Sequence, residues 1–376
     1  MIKVLEVVHS LDVGGIETFV ASIQDHVDQR EFEVIYLCIG SPGRQIGRAE
    51  ARIIEKRGTV HWLPCLSLKI GSYQPSSLRR LALFLDGTKP DVVHIHVDGA
   101  DLVAWMARKR NIPVIRHSHN TRFSKPSGRV RSVIKPLAFR AVRMIVSSGE
   151  SMRLACSQNA GEFLFGKAAF EVIPNGIDLN RFSFDAERRS RTRRDLGVES
   201  SEILLLNIGR CANQKNQWFA LEIAAELACR KIEGSLVVVG DGPLIGELQA
   251  YAAQLGLDPD KVFLGARDDV ADLYSAADVF LLTSLYEGFP ISLVEAQANG
   301  LVCIVPDNVS KEVDLTGQVM FLPLADGVAK WVDTIGGMSR SRQLANLGGA
   351  LQSYDFVSVI RRLEDIYRDV TKEPII

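Results

Sequence analysis

Cysteine is sparse in this chain, and its placement is unpatterned. The six residues, Cys38, Cys65, Cys156, Cys211, Cys229 and Cys303, are scattered with no CxxC pair among them. Neither a disulfide framework nor a zinc ribbon is expected, and reduced core thiols in a cytoplasmic protein fit the pattern better. Long apolar runs are also missing. None approaches the roughly 18–20 residues a membrane-spanning helix needs. The N-terminus, "MIKVLEVVHSL", enters an apparent strand at once, without the basic-then-apolar layout of a signal peptide. There is no low-complexity tract and no complete GxGxxG fingerprint after a strand, which weighs against a nicotinamide cofactor. No DxD-like acidic pair stands out as a magnesium site. What remains is an ordinary globular composition, 47% hydrophobic over 376 residues, long enough for two domains.

Charge is balanced overall at −1 but divided along the chain. Residues 1–180 hold 24 Lys/Arg against 17 Asp/Glu, and the remainder holds 20 against 28. The basic excess is concentrated in 108–143, where Arg122, Lys125, Arg129, Arg131, Lys135, Arg140 and Arg143 are interleaved with Val130, Val133, Ile134, Leu137 and Phe139. This pattern reads as a basic amphipathic surface helix. It is either a solvated face or a contact for anionic lipid headgroups or a phosphate-bearing acceptor. A nucleic-acid partner is not expected, because net charge is near zero and no binding motif accompanies the patch.

Short apolar runs alternate with helical stretches throughout, the signature of parallel βαβ units. The first set is "IKVLEVVHSL", "FEVIYLCIG", "TVHWLPC", "DVVHIHV", "PVIRHSH", "RMIVSSG" and "FEVIP". The second is "ILLLNIGR", "SLVVVGDG", "KVFLGA", "DVFLLTS", "VCIVPD" and "VMFLPL". Between them, "NGIDLNRFSFDAERRSRTRRD" is polar and reads as an interdomain linker. The economical interpretation is two Rossmann-like α/β domains, 1–180 and 181–354. The amphipathic segment "DFVSVIRRLEDIYRDVT" near the C-terminus needs a partner surface.

Candidate site residues follow from where strands end. In such sheets ligands bind beyond the carboxyl ends of the strands. Glu287 follows the strand "ADVFLL", and Glu295 lies about two turns further, inside the helix that begins after Pro290. The N-terminus of that helix offers backbone N–H groups and a positive dipole end, suited to phosphate. Arg210 closes the first strand of the second set and Lys215 follows it, two cations placed for a diphosphate. Gly14 and Gly15, after the first strand, either let a ligand approach the backbone or simply make a tight turn. His117 and His119 end the fifth strand. No cysteine or carboxylate cluster accompanies them in sequence, so a metal centre is not expected, and His119 is read as a hydrogen-bonding partner of a sugar hydroxyl. His94 and His96 read as satisfied strand-end histidines, with a place near the same crevice as the alternative. "VVGDGP" reads equally as a structural turn or a functional loop, and Asn175-Gly176 as a tight turn that could line the cleft as well as bend the chain.

Together, "GGIE", "VIPNGID", "GRCANQKN", "VVGDGP", "FLGARDDVADLYSAADVFLLTS" and above all "EGFPISLVEAQANG" resemble the retaining glycosyltransferases of family 4, with the GT-B fold. "RHSHNTRFSK" and "CIVPDNVSKEVDLTGQVMFLPL" are most similar to bacterial capsular and exopolysaccharide members. The resemblance implies two Rossmann-like domains facing a cleft, with a C-terminal helix, 355–376, crossing back to the first. It implies Glu295 on the ribose, Glu287 on the transferred sugar, and backbone N–H groups around Phe289 and Ile291 on the diphosphate or sugar, Pro290 having none. Arg210 and Lys215 would neutralise the diphosphate. Main chain at Leu264 and Gly265 would bind the base, with Arg267 beside it, and His119 would stand near the anomeric centre. Gly15 would let the first domain approach the donor.

The reaction so implied is metal-independent transfer from a nucleotide sugar, a UDP-sugar by preference, to a polysaccharide precursor or lipid-linked oligosaccharide. No cofactor is implied. The acceptor would lie at the cytoplasmic membrane face, near the basic 108–143 segment. An epimerase on the same fold and a noncatalytic nucleotide-sugar-binding subunit stay open beside it.

Overall fold

The computed structural model describes residues 1–12, 15–40, 46–64, 75–97, 100–119, 150–338, 342 and 349–372. These residues form two compact units, Met1–Gly176 with Phe356–Ile376, and Ile177–Asp355. The basic 108–143 segment lies outside the described residues from position 120 onward, as does Gly14.

The first unit is built on seven strands: β1 (Ile2–Val8), β2 (Phe32–Cys38), β3 (Thr59–Trp62), β4 (Val92–Ile95), β5 (Val114–Ser118), β6 (Met152–Ala155) and β7 (Glu171–Val172). They pair in parallel in the order β3-β2-β1-β4-β5-β6-β7. A parallel sheet covered on both faces needs apolar side chains on both, which is why β1 reads as a continuous run. Along β1 the side chains alternate. Val4 and Val8 join the core under the helix Gly15–His26, while Leu5 and Val7 join the opposite core with Leu81, Leu85, Val103 and Ala107.

The first of these cores is closed by the helix Phe356–Lys372. Phe356, Val359, Ile360, Leu363, Ile366, Tyr367 and Val370 recur at helical spacing and are all buried. The partner surface required by the amphipathic C-terminal segment is thus the sheet that the chain builds first. Arg362 to Glu171 and Arg368 to Glu31 add two-pronged surface pairs, each N–O distance between 2.6 and 2.8 Å. Such exposed pairs contribute little beside the apolar face.

The second unit has six strands, β8 (Ile203–Ile208), β9 (Gly234–Val239), β10 (Phe263–Gly265), β11 (Val279–Leu281), β12 (Val302–Pro306) and β13 (Val319–Leu322). They are parallel in the order β10-β9-β8-β11-β12-β13, with a buried apolar cluster on each face.

Two sequence expectations are corrected here. The strand β6, "MRLA", was not expected. It is four residues of weak pattern, and its pairing with β5 and β7 supplies what local propensity does not. The neighbouring expected strand, "RMIVSSG", falls within 120–149, outside the described residues. The polar stretch read as a linker is instead packed structure. Asp185 caps the helix Ala186–Asp195 by accepting from the N–H groups of Glu187 and Arg188 at 2.8 and 2.9 Å. Its arginines are engaged in the second unit, where Arg189 and Arg193 both reach the Asp278 carboxylate, at 2.5 and 2.9 Å. They also bond carbonyls of Ser275, Ala276 and Ala277, the C-terminal end of the helix Val270–Ala276. Guanidinium groups suit such a carbonyl-rich helix end, which composition alone does not reveal.

Leu363→Ala, at a fully buried position of the C-terminal helix, is expected to lower stability by about 2–5 kcal/mol. Val357→Ala, on the exposed side of the same helix, should stay within about 0.5 kcal/mol of the parent. Urea unfolding of the two variants checks whether this helix is integral to the first unit.

Candidate active site

In each sheet the strand order reverses at the centre, between β1 and β4 in the first unit and between β8 and β11 in the second. Successive connections leave such a pair in opposite directions, so the loops beyond their carboxyl ends part and leave room for a ligand. The candidate residues of the second unit gather at that point. The loop after β8 carries Arg210 and Lys215, and the loop after β11 carries Glu287. The two loops are fastened to each other. Leu285 N–H donates to Gln214 O at 2.8 Å, Gln214 Nε2 donates to Tyr286 O at 3.0 Å, and Thr283 Oγ1 lies 3.1 and 3.0 Å from the carbonyls of Lys215 and Asn216.

This fastening brings Lys215 Nζ to 2.7 Å from Glu287 Oε1, and both side chains are largely withdrawn from solvent. Ser284 Oγ also donates to Oε1, at 2.5 Å. Among the described residues both bonds fall on Oε1, so Oε2 is available to a ligand hydroxyl. The ammonium has further N–H donors for an anion. Arg210 is exposed, and its carbonyl accepts from Gln217 Nε2 at 3.1 Å. Its loop is held by "VVGDGP". At Gly240, with φ of 135°, a Cβ would stand 2.1 Å from the carbonyl oxygen of Gly209, so only glycine permits this approach. The reading of this motif as a structural turn is therefore sharpened: it is a backbone contact under the Arg210 loop.

The helix Ile291–Ala298 begins at Pro290, which offers no side-chain cap. Its first-turn N–H groups, at Ile291 and Ser292, lie at the positive end of the helix dipole. Phe289 stacks on Tyr354, ring centroids 5.3 Å apart. Within the helix, Glu295 Oε2 lies 2.8 Å from Tyr274 Oη, which also lies 2.8 Å from Ser292 O. One phenol proton serves one acceptor at a time, so this carboxyl is poorly solvated. Burial pushes its pKa up to about 7, against opposing contributions from the Tyr274 hydrogen bond and the Arg181 charge. At the end of β10, Leu264 and Gly265 are half-buried, and Gly265 takes φ of 66° while its carbonyl accepts from Gly240 N–H at 2.8 Å. Arg267 is exposed and forms a two-pronged pair with Asp269 at 2.8 and 2.5 Å.

In the first unit, Gly15 opens the helix Gly15–His26 after β1. His119 follows β5 and is half-buried. Its Nε2 is 2.9 Å from His96 Nδ1 and its Nδ1 is 3.0 Å from Asn175 Oδ1. His96 Nε2 is 2.5 Å from Glu6 Oε2, and Tyr367 Oη is 2.8 Å from both Glu6 Oε1 and His94 Nδ1. Phe19, on the helix Gly15–His26, meets His96, His117 and His119 with centroids 5.5 to 5.9 Å away. Burial holds His117 and His119 well below the ordinary histidine range, and His96 is pushed down to about 4.

The sequence reading placed no carboxylate among these histidines. The structure places Glu6 there, because β1 pairs with β4 in a register that sets Glu6 opposite His94. The only local sign was a charge inside an otherwise apolar strand. Tyr367 was likewise missed, and Asn175, read as part of a turn that could line the cleft, was not connected to the histidines. The ring nitrogens of His94, His96 and His117 come within 4.8 Å of one another. Both nitrogens of His96 are already committed to Glu6 and His119, which leaves His94 Nε2 and His117 Nδ1 as open ligands. Structural zinc takes four protein ligands and catalytic zinc three.

Two successive parallel α/β units with polar loops at their switch points define the GT-B class of fold. The chain superposes with a TM-score of 0.77 on Anabaena Alr3699/HepE, solved in complex with UDP and glucose, at 20% identity and over 98% of this chain and 100% of that one. A family model described as Glycosyl transferases group 1 matches residues 188–315, and one described as Glycosyltransferase Family 4 matches residues 13–181. EpsF of Bacillus subtilis (strain 168), classed as a glycosyltransferase, is 32% identical over 343 residues, 89% of this chain and 86% of its own. The UDP-Gal:alpha-D-GlcNAc-diphosphoundecaprenol alpha-1,3-galactosyltransferase of Escherichia coli is 30% identical over 241 residues, 61% of each chain. This chain belongs to glycosyltransferase family 4 and is a glycosyltransferase. Among the described residues no helix is long and apolar enough to cross a membrane.

The raised pKa of Glu295 has a stability consequence. With a folded value near 7 against an ordinary 4.5, its protonated form favours folding below about pH 4.5, and that contribution is lost as pH rises through 7. Thermal unfolding of the ligand-free protein from pH 5 to 8 should show Glu295→Gln gaining on the parent as pH rises. A constant difference between the two across that range would contradict the burial argument.

Proposed function

We propose that this enzyme transfers a sugar from a UDP-sugar to a lipid-linked oligosaccharide or polysaccharide precursor, with retention of anomeric configuration and without a metal ion. The observation that carries the reading is the Lys215–Glu287 pair, 2.7 Å apart at the β8/β11 switch point, beside the uncapped N-terminus of Ile291–Ala298. A cation, a carboxylate with an open oxygen and a helix N-terminus are what a sugar diphosphate needs. The carboxylate accepts sugar hydroxyls and the positive groups hold the leaving phosphates. UDP is favoured by the Escherichia coli relative, whose name specifies UDP-Gal and a diphosphoundecaprenol-linked acceptor, and by the HepE complex with UDP and glucose. The resemblance to capsular and exopolysaccharide enzymes points the same way.

In this reading Glu295 accepts from the ribose hydroxyls and Glu287 from the transferred sugar. Arg210 and Lys215, with the N–H groups of Phe289 and Ile291, hold the diphosphate beside Pro290. Leu264 and Gly265 meet the base with Arg267 nearby. Gly15 and His119 act from the first unit, His119 on a sugar hydroxyl. An acceptor oxygen forms its bond to the anomeric carbon as the bond to the β-phosphate oxygen breaks. The acceptor proton passes to that departing phosphate, so no side chain need serve as general base. Glu287 and Glu295 then have separate tasks and are not the acid–base pair of a glycosidase.

Mass-spectrometric assay of UDP-sugars with a diphosphopolyprenyl-linked sugar acceptor tests the reading. Product should form only when donor and acceptor are both present, and Lys215→Ala should lower kcat by roughly 10²–10³-fold. Conversion of the donor sugar with no acceptor would point to an epimerase. UDP-sugar binding with no turnover under any acceptor would point to a binding subunit.

A further inference from the structure

The histidines of the first unit form a hydrogen-bonded chain with a direction that one buried carboxylate sets. Glu6 is fully buried. Tyr367 Oη lies 2.8 Å from its Oε1, His96 Nε2 lies 2.5 Å from its Oε2, and His94 Nδ1 is 3.3 Å from the same Oε2. Two donors, Tyr367 and His96, converge on this carboxylate with the His94 ring beside it and stabilise its ionised form, and the two histidines hold its pKa well below the usual carboxylate range despite burial. Opposite an ionised oxygen, His96 Nε2 carries its proton. A neutral imidazole has one ring proton, so His96 Nδ1 is a lone pair. Its partner at 2.9 Å is His119 Nε2, which therefore donates. That assigns the remaining ring position: His119 Nδ1 is a lone pair. Asn175 stands 3.0 Å away and satisfies it by turning its amide N–H inward, since the two ends of an amide have the same shape.

We propose that Glu6 and His96 are positioning residues for sugar transfer, fixing His119 as its Nε2–H tautomer so that its Nδ1 edge accepts a hydrogen bond from a substrate hydroxyl. In the free protein Asn175 occupies that edge. A sugar hydroxyl competes for it when substrate binds. The opposite tautomer would present N–H there and meet the hydroxyl as a donor instead. The proposal rests on the reading of His119 as a sugar contact, but its structural half stands on the first unit alone. Phe19 packing against His96 and His119 leaves the rings little freedom to escape the arrangement.

The test uses the full-length protein with ¹⁵N-labelled histidine. Long-range ¹H–¹⁵N correlation spectra report the tautomer of each ring, and wild type should show Nε2–H at both His96 and His119. His96→Gln keeps an N–H donor for Glu6 but loses the contact to His119. It should leave His119 without a fixed tautomer and lower kcat by roughly tenfold or more, with donor KM within about twofold. That is well short of the ~10⁴ seen where a carboxylate directly fixes a catalytic histidine. An Nδ1–H signal at His119 in wild type would overturn the proposal, as would His96→Gln turning over at the wild-type kcat. If His96→Gln does not fold, the wild-type spectra decide alone. If wild type transfers no sugar from any donor, the glycosyl-transfer reading fails while the tautomer result still decides the relay.

Discussion

Both units depend on one constraint, the parallel pairing of two strands whose flanking connections leave in opposite directions. Parallel hydrogen bonding makes every strand end at the same edge of the sheet, so polar loops collect there and apolar residues fill both faces. At the centre, between β1 and β4 and between β8 and β11, the connections diverge and the edge is open. The candidate site residues gather at these two openings. In the second unit these are Lys215 and Glu287, and in the first they are His96 and His119, with Glu6 beneath them.

Each opening is supported by a different kind of contact. In the second unit, backbone meets backbone. Gly240 lies against Gly209, and the loops after β8 and β11 exchange main-chain and side-chain bonds, so the Lys215–Glu287 pair sits on a framework that needs few further side chains. In the first unit the support is a buried polar network. Glu6 from the first strand, His94 from the fourth and His96 just after it, and Tyr367 from the last helix are joined across nearly the whole length of the chain. A buried carboxylate is costly unless its oxygens are satisfied, and a fully satisfied network specifies one arrangement of its members. The C-terminal helix is thus held by apolar packing and tied into this network by the Tyr367 phenol.

Much of the fold was legible in sequence because parallel strands are nearly uniform apolar runs and their ends are marked by glycine and polar residues. All six strands of the second sheet were recognisable that way. β6 was not, because "MRLA" is short and owes its conformation to its neighbours. The arginine-rich stretch near 188–194 was misread for a related reason. Composition registers charge, but not the cluster of carbonyls at a distant helix end that makes such charge useful in an interior.

By itself the sequence determined the α/β class, the division into two units and the family, and it marked as candidates Arg210, Lys215, Glu287 and His119 near strand ends and Glu295 in the helix that follows. Each of these depends on residues close together in the chain, where spacing reports geometry directly. Tertiary structure alone decided that Lys215 and Glu287, 72 residues apart, form a pair, and that Glu6, His96 and His119 form a line. It also decided that burial moves Glu295 toward neutrality while converging donors keep Glu6 charged. Charge state depends on which donors reach a group and how far water is excluded, and both are properties of the packed interior rather than of neighbours in sequence.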